Sequence, residues 1–432
     1  MPDASRSTAD ARRAPLTRGL PQDAAAPGND APTTTAARDQ PTAAAQRLAL
    51  LDALRGFALA GVLLANLVAL SLYAFLPADR MAALVTAGVD RLLDPALGAL
   101  VSGKFITVFS LLFGVGFAMQ MQSADGDPAA RRRTLRRLGA LLAIGLLHGF
   151  LWWGDVLRYY AVVGLLLPPL YRLPGRWLVT IGAVLVVVPQ PLLAHLFADA
   201  GPRLASQEQA NAAALAAFAS SDWPTVLRGN RAFFDWWLPM RWGIPLAVAG
   251  CMLIGVALGR SGVLLDPAAH ALFWTRLRFG LPAGLVLALG LVLADYGRLP
   301  GPDGWQAGDG ARVVLRMLNR ATGLVLGLGY MAGFVWLFGL RQVRRVLQPL
   351  APVGRMALSN YLAQTVAGVG LFYGVGLGIG PRYGLVGVGI AWALVFAVQI
   401  AASHWWLERF RFGPAEWLWR SATYARWQPM RR

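Results

Sequence analysis

Long apolar runs separated by short polar segments alternate along most of the chain. A helix that crosses a bilayer needs about 20 mainly apolar residues. On that basis the pattern predicts spanning helices near residues 53–75, 100–121, 138–153, 159–172, 177–198, 242–259, 279–296, 321–340, 356–377 and 384–406. Gly154 and Asp155 separate the third helix from the fourth, which indicates a tight turn. The expected fold class is all-α: a polytopic integral membrane protein with about ten transmembrane helices.

The composition supports a membrane environment. Of the 432 residues, 56% are hydrophobic and 14% are charged, whereas soluble domains carry about 25% charged residues. The formal charge of +18 is spread in short clusters between apolar runs, as membrane topology requires, so we expect no nucleic-acid binding. Cys251 is the only cysteine, and no two histidines stand four residues apart. We therefore expect neither a metal site nor a bound cofactor.

The chain divides into three parts. Residues 1–46 lack an apolar run and are expected to form a disordered cytoplasmic tail. Residues 47–425 are expected to form a single transmembrane domain, and residues 426–432 a basic cytoplasmic C-terminus. With the N-terminus inside, 26 of the 40 Lys and Arg residues fall in inner segments and 12 in outer loops. Because inner segments are enriched in positive charge, we expect a bacterial inner-membrane protein with both termini in the cytoplasm.

Two of the expected outer loops are long. The loop from Asp199 to Pro239 carries five aromatic residues: Trp223, Phe233, Phe234, Trp236 and Trp237. They suit either an anchor in the headgroup layer or a lid over a site that opens outward. The loop from Gly297 to Arg320 contains six Gly or Pro residues between 300 and 310 and is expected to be mostly flexible.

Ionisable and amide side chains at membrane depth are costly, so they are candidates for function. The first predicted helix carries Asp52, Arg55 and Asn66. Arg55 and Asn66 differ by only about 20° around the helix axis and share one stripe. Asp52 and Arg55 form either a structural ion pair or part of a substrate site. Asn66 either bonds to another helix or offers its amide to a substrate.

Lys104 is the only lysine among the 40 basic residues, and it stands near the expected outer end of the second helix. It either reaches outward to the lipid headgroups or supplies a compact ammonium group whose proton affinity responds to burial. The second alternative makes Lys104 a candidate for substrate binding.

His148 precedes Asp155 by seven residues. In a straight helix the two would be separated by a rise of about 10.5 Å, too far for contact. Because Gly154 is expected to end the helix, Asp155 can fold back to orient the imidazole, or it can pair with Arg158 instead. Histidine is the side chain that titrates near neutral pH without perturbation. His148 is therefore either a hydrogen bonder between helices or a group that handles a proton.

The ninth predicted helix begins near Arg355 and carries Asn360 and Gln364 four residues apart, close to the expected inner surface. Residues at this spacing share one helix face. The two amides either join neighbouring helices or form a polar wall for a cytoplasmic ligand, next to the Arg355 guanidinium.

Several short motifs occur in order along the chain. They are Leu51-Asp52-Ala53-Leu54-Arg55-Gly56 with Asn66, Gly103-Lys104-Phe105 leading to Leu111-Leu112-Phe113-Gly114, His148-Gly149 leading to Gly154-Asp155-Val156-Leu157, Gly354-Arg355-Met356-Ala357-Leu358-Ser359-Asn360-Tyr361, and Phe412-Gly413-Pro414-Ala415-Glu416-Trp417-Leu418-Trp419-Arg420. With these motifs the chain resembles the YeiB family of bacterial membrane proteins (DUF418), from about Leu48 to Tyr424. The resemblance implies a multi-helix membrane fold.

The first motif also resembles the opening helix of a wider transmembrane acyltransferase superfamily, in which an acyl group moves from a cytosolic acyl-CoA to an acceptor on the far side. The Arg-Gly and Asn spacing matches Arg55-Gly56 and Asn66. The superfamily's catalytic histidine follows that asparagine in the next loop, where this chain has Pro77. If the chain is such an enzyme, His148 takes that role.

The resulting leading hypothesis is a membrane acyltransferase. Acyl-CoA, for example acetyl-CoA, is expected as a co-substrate whose anionic end faces Arg55 and Arg355. Asn66 would donate to the developing oxyanion, and His148, oriented by Asp155, would act as general base on an acceptor reached from the periplasm. The other expected partners are the lipid bilayer and a second copy of the chain in a homo-oligomer.

A transporter or flippase without covalent chemistry is the alternative hypothesis. The same buried polar residues would then form a path for a small molecule, a lipid-linked substrate or a proton. A purely structural or signalling protein is the third hypothesis, in which these residues serve packing alone.

Overall fold

A computed structural model describes residues 43–123, 127, 129–196, 205–240, 243–295 and 309–432. Across these ranges the chain is helical, and the β-structure within them is limited to one isolated bridge between Phe410 and Arg431. The predicted disordered tail lies outside the described residues except for its last four positions, which belong to the first helix.

The first half of the chain forms α1 (Ala43–Leu70), a 3-10 turn (Tyr73–Phe75), α2 (Ala78–Ala82), α3 (Ala87–Leu100), α4 (Lys104–Ser123), α5 (Ala130–Leu151), α6 (Leu157–Gly164), α7 (Leu167–Leu170), α8 (Gly175–Val187), α9 (Pro189–Leu196) and α10 (Gln207–Phe218). The second half forms α11 (Trp223–Met240), α12 (Gly243–Ser261), α13 (Ala271–Arg278), α14 (Gly280–Asp295), α15 (Asp309–Gly339), α16 (Arg341–Leu347), α17 (Leu350–Arg355), α18 (Ala357–Phe372), α19 (Gly384–Arg409) and α20 (Pro414–Tyr424).

The protein is an all-α polytopic membrane protein, as the apolar pattern predicts. Within the described residues, eight helical segments are long and apolar enough to cross a bilayer: Ala49–Leu70, Ala87–Gln122, Ala130–Leu151, Gly175–Leu196, Gly243–Ser261, Ala271–Val292, Gly310–Gly339 and Gly384–Arg409. The two other predicted spans are shorter helices. The 159–172 segment is divided between Gly164, where α6 ends, and Leu167, where α7 begins. Pro168 and Pro169 lie in the first turn of α7 and lack the N–H groups that would continue the hydrogen bonds of α6. The 356–377 segment ends at Phe372, where the next residue is extended.

Helix α1 lies at the centre of the bundle. Leu54, Leu59 and Leu63 are fully buried, and α1 packs against α4, α15, α17, α18 and α19. A helix that is apolar all round is expected at such a position. At the periphery, Leu147 and Phe150 are exposed by about 70%, which suits side chains that face lipid.

The two long predicted loops are partly helical. The segment between Asp199 and Pro239 contains a hairpin of α10 and α11, which contributes Phe218 and Val226 to the buried core. The expectation that Gly297–Arg320 is mostly flexible is wrong from residue 309 onward, where α15 begins, and residues 296–308 lie outside the described part. The physical reason is that Gly310 falls in the first turn of α15, ahead of a strongly helical pattern of apolar residues and arginines.

The basic C-terminus folds back on the domain. The backbone N–H of Arg411 donates to Met430 O at 2.9 Å, and the rings of Trp417 and Trp427 stack with centroids 5.1 Å apart. Residues 43–432 belong to one compact unit. Positions 426–432 are therefore part of the same unit, whereas the sequence pattern predicts a domain that ends at residue 425.

Candidate functional site

A cavity of about 300 Å³ lies between α1, α4, α5, α6, α17, α18 and α20. Its wall contains four arginines from distant parts of the chain, together with one acidic residue: Arg55, Arg137, Arg355, Arg420 and Glu416. The rest of the wall is mainly apolar and aromatic. The cavity therefore combines a cationic region formed by these four arginines, hereafter the arginine mouth, with a mainly apolar interior.

Two glycines bring Arg55 and Arg355 to the same place. A Cβ atom on Gly354 would lie 1.8 Å from the backbone oxygen of Asp52, and one on Gly56 would lie 2.2 Å from Leu350 O. Since the backbones of α1 and α17 touch, only glycine fits at these positions. Each glycine is followed or preceded by one of the arginines, so the close crossing directs both guanidinium groups into the cavity.

Helix α20 supplies the opposite side of the arginine mouth. The Trp419 indole N–H donates to the backbone oxygen of Arg137 at 2.7 Å, and the Arg137 guanidinium lies 4.7 Å from the Trp419 ring centroid. Such a contact holds a planar cation in a defined orientation. The Arg420 guanidinium lies 4.5 Å from the Phe412 ring.

Glu416 fastens α20 to the start of α18. Its Oε1 accepts hydrogen bonds from the backbone N–H groups of Leu358 (2.7 Å) and Ser359 (3.1 Å), and its Oε2 accepts from the Ser359 hydroxyl. These N–H groups have no partner within their own helix, so the carboxylate caps it. Burial raises the pKa of Glu416, and the Ser359 and backbone hydrogen bonds partly oppose that shift.

The deep wall of the cavity is aromatic. The Tyr160 ring packs edge-on against Phe113 with centroids 5.2 Å apart, and its hydroxyl is hydrogen-bonded to Ser110 at 2.7 Å. Tyr361 also lines the cavity, and its ring lies 5.2 Å from the His148 imidazole on the other side. Tyr361 therefore lies between the cavity and the buried histidine.

His148 lies at the centre of a buried chain of three side chains. Its Nδ1 is 2.8 Å from Asp155 Oδ1 and its Nε2 is 2.9 Å from Thr365 Oγ1. Helix α5 ends at Leu151 and Trp152 is extended, which lets Asp155 turn back to the imidazole. Asp155 also lies 3.6 Å from Arg158 Nε, so both interactions considered from the sequence occur together.

The hydrogen-bond donors around Asp155 indicate which imidazole nitrogen faces the carboxylate as a donor. Its Oδ1 also accepts from the Leu157 N–H at 3.2 Å, and its Oδ2 from the Arg158 N–H at 3.1 Å. A carboxylate surrounded by donors leaves His148 Nδ1 as the donor. In the neutral imidazole, Nε2 then holds a lone pair that can accept the Thr365 hydroxyl proton. Gly145 permits this packing, because a Cβ there would lie 2.6 Å from Arg158 N.

The α10–α11 hairpin covers the end of α5 that carries His148. Asn230 Nδ2 donates to Gly149 O at 2.9 Å and to Phe150 O at 3.0 Å. These are carbonyls of the last turn, which lack partners within a helix. Phe233 packs against Trp153 with ring centroids 4.7 Å apart. The hairpin therefore contacts the turn that leads to Asp155.

Other candidates predicted from the sequence lie outside this wall. Asp52 does not line the cavity but binds Arg55 at 2.8 Å. Asn360 donates to Ser403 Oγ at 3.0 Å and Gln364 to Gln399 Oε1 at 3.0 Å, so both amides join α18 to α19. Lys104 is buried and its Nζ donates to Gly98 O at 2.7 Å.

Asn66 is half-buried, and its amide makes no hydrogen bond within the described residues. The chain from α17 into α18 runs in the same direction as α1, since Gly354 of α17 abuts Asp52 while Gly368 of α18 abuts Leu70. Asn66 therefore lies at a membrane depth close to that of Thr365, although no direct contact joins them.

The sequence interpretation missed Arg137, Arg420, Glu416, Tyr361 and Thr365 as site residues. Arg137 was one of several arginines in an inner cluster, and nothing local distinguishes it from its neighbours. Glu416 and Arg420 belong to the motif at residues 412–420, and that motif is the sequence feature that could have identified them. Among the described residues, no group of three His, Cys, Asp or Glu side chains could hold a metal ion.

Comparison with known proteins shows the family of the chain. The chain is 31% identical to "Uncharacterized protein YxaH" of Bacillus subtilis, over 90% of this chain and 98% of the relative. It is 32% identical to "Uncharacterized protein YeiB" of Escherichia coli, over 88% and 96% respectively. No solved structure matches the chain. Residues 258–426 match the family described as "Protein of unknown function (DUF418)". With relatives of this identity along nearly its whole length, the chain belongs to the YeiB-like DUF418 family of membrane proteins.

Proposed function

We propose that the protein is a membrane acyltransferase that takes its acyl group from an acyl-CoA bound in the cavity. The observation that carries the proposal is the cavity itself, which is lined by four arginines that are exposed or half-buried and by the buried Tyr361, whose ring lies 5.2 Å from the His148 imidazole. Arg137 and His148 are eleven residues apart on α5, which corresponds to about 16 Å along the helix. A suitable donor is therefore long, anionic at one end and reactive at the other.

Acyl-CoA has this distribution of charge. Guanidinium groups bind phosphates through paired, charge-assisted hydrogen bonds, so Arg55, Arg137, Arg355 and Arg420 would hold the phosphates at the mouth. A volume of about 300 Å³ is at the lower end of small-molecule pockets. It suits the pantetheine and acyl arm, with the nucleotide left at the entrance.

The buried histidine supplies the base for such a reaction. Asp155 bonds to Nδ1 of His148 and not to Nε2. The Nε2 lone pair can therefore take a proton from an attacking hydroxyl or amine. Asp155 holds the ring orientation and stabilises the imidazolium that forms. Asn66, at a comparable depth, would donate to the oxyanion of the tetrahedral intermediate.

The proposed orientation places the arginine mouth in the cytoplasm, where acyl-CoA is found, and both termini on the same side. The distribution of Lys and Arg between loops supports it. The acceptor would reach the site from the periplasmic side of the inner membrane, near the α10–α11 hairpin. Reporters fused after Arg133 and Arg344 should be cytoplasmic, and a reporter at Ala210 periplasmic. A cytoplasmic signal at Ala210 contradicts the orientation.

Sealed inverted membrane vesicles test the activity. Acetyl-CoA labelled in the acetyl group is supplied to the exposed cytoplasmic face, and label is followed into products other than acetate and acetyl-CoA. We expect transfer that depends on the protein and is lost in His148→Ala. A transporter would instead leave acetyl-CoA intact, and unchanged acetyl-CoA in vesicles rich in the protein contradicts the proposed function.

A further inference from the structure

We infer that Thr365 is the nucleophile of a Thr365–His148–Asp155 triad and carries the acyl group as a covalent ester between donor and acceptor. This inference rests on the proposed function. The geometry is that of a hydroxyl, a base and an orienting carboxylate in series, with Oγ1–Nε2 and Nδ1–Oδ1 distances of 2.9 and 2.8 Å. Hydroxyl nucleophiles are activated by this arrangement on unrelated folds.

Other threonines in the same bundle show that the Thr365 bond is unusual. Threonine in a helix commonly bonds to the carbonyl four residues earlier. The four other buried threonines of the described residues do so: Thr107, Thr134, Thr322 and Thr423. Thr365 instead directs its hydroxyl across to a different helix, α5. In the neutral imidazole whose Nδ1 donates to Asp155, Nε2 is an acceptor for the hydroxyl proton, and that direction increases the nucleophilicity of Oγ1.

The triad lies directly behind the cavity wall. Tyr361 is one turn before Thr365 on α18, and Val156 and Leu157 follow Asp155; all three line the cavity. Thr365 is only 1% exposed, so the Tyr361 ring must rotate for a thioester to reach it. The Tyr361 hydroxyl is held by a single long hydrogen bond, 3.3 Å from the Val156 N–H, which opposes that rotation weakly.

The covalent step balances as follows. Thr365 Oγ1 attacks the thioester carbonyl carbon while its proton passes to His148 Nε2. The new O–C bond forms, the C–S bond breaks with its electron pair leaving on sulfur, and Nε2 returns the proton to give free CoA thiol. In the second half, the acceptor hydroxyl or amine attacks the Thr365 ester, its proton moves to Nε2, and Oγ1 leaves and regains a proton.

The test uses the purified full chain and acetyl-CoA labelled in the acetyl group, with no acceptor added. We expect a burst of about one CoA thiol per chain and label that stays on the protein in acid and maps to the peptide containing Thr365. Thr365→Ser keeps a hydroxyl and should keep the burst. Thr365→Val should abolish it and lower overall transfer by about 10³-fold or more.

Thr322→Val is the matched control, because Thr322 is equally buried (1% exposed) and its hydroxyl bonds only within its own helix. It should label like the unmodified protein, and its melting temperature should match that of Thr365→Val. Transfer at the normal rate by Thr365→Val, or transfer without protein-bound label, overturns the covalent step while leaving the acyltransferase intact. Failure of the unmodified protein to consume acetyl-CoA even in native vesicles overturns both.

Discussion

The Asp155 carboxylate lies 2.8 Å from the His148 imidazole although a continuous helix would separate the two by about 10.5 Å along its axis. The contact exists because α5 ends at Leu151 and the chain turns back before α6. The pair is held by donors on both sides, with Leu157 and Arg158 contacting the carboxylate and Thr365 contacting the imidazole. A histidine oriented this firmly is suited to proton transfer in a fixed direction.

Replacement of His148 by Gln and by Ala separates a chemical role from a packing role. An amide can still bond to Asp155 and Thr365, but it does not titrate near neutral pH. If His148 is the base, both variants should lose acyl transfer by roughly 10²–10⁴-fold, while His148→Gln keeps the melting temperature within a few degrees. The measurements are acetyl-CoA turnover and thermal unfolding in detergent. Full activity in His148→Gln would remove the histidine from the chemistry.

The Arg420 guanidinium is expected to bind the donor without taking part in the reaction. Arg420→Gln should raise the KM for acetyl-CoA by about 10-fold, the loss of one charge-assisted hydrogen bond, and leave kcat nearly unchanged. Added salt should weaken donor binding to the unmodified protein more than to the variant. Arg231→Gln is the control, because Arg231 is exposed in α11 and paired with Asp235 away from the cavity. A similar rise in KM in both variants would contradict a specific role for Arg420.

Glu416 is predicted to serve structure and to weaken anion binding at the same time. Glu416→Gln keeps an acceptor for the Leu358 and Ser359 N–H groups and removes a negative charge from the arginine mouth. We expect near-normal stability and a Kd for CoA about fivefold lower, or about 1 kcal/mol. Glu416→Ala leaves the buried N–H groups unpaired and should cost about 1–3 kcal/mol. Calorimetric titration with CoA and thermal unfolding measure the two effects, and weaker CoA binding by Glu416→Gln would contradict the assignment.

The crossing of α1 and α17 should tolerate no side chain at Gly354. Because a Cβ atom would lie 1.8 Å from Asp52 O, Gly354→Ala must separate the two helices and move Arg55 and Arg355 apart. We expect a destabilisation of about 1–3 kcal/mol or more and weaker CoA binding. Gly389→Ala is the control, since no atom would lie within 4 Å of its Cβ in α19. The control should be neutral or stabilised by about 0.5–1 kcal/mol, and equal behaviour of the two variants would exclude the close crossing.

Local pattern determined the fold class and most of its helices. The length of each apolar run and the spacing of Gly and Pro are properties of short segments, so eight spanning helices of an all-α membrane protein follow from them. The polar candidates also follow, because a charge or amide inside an apolar run is visible without a structure. His148 and Asp155 could be paired in advance, since the turn between them is short and contains Gly154.

Tertiary packing alone decided how distant residues combine. Arg55, Arg137, Arg355 and Arg420 belong to four helices, and their convergence depends on backbone contact at Gly56 and Gly354 and on the docking of α20 by Glu416 and Trp419. Asn360 and Gln364 are four residues apart, a spacing that suits a wall for a ligand as well as it suits a contact between helices. In the structure their amides bond to side chains of α19. Nothing in the local sequence distinguishes Thr365 from other helical threonines, and only the packing of α5 against α18 places His148 beside it. Periodicity along one helix specifies which side chains share a face, whereas the neighbour that meets that face is set by long-range packing.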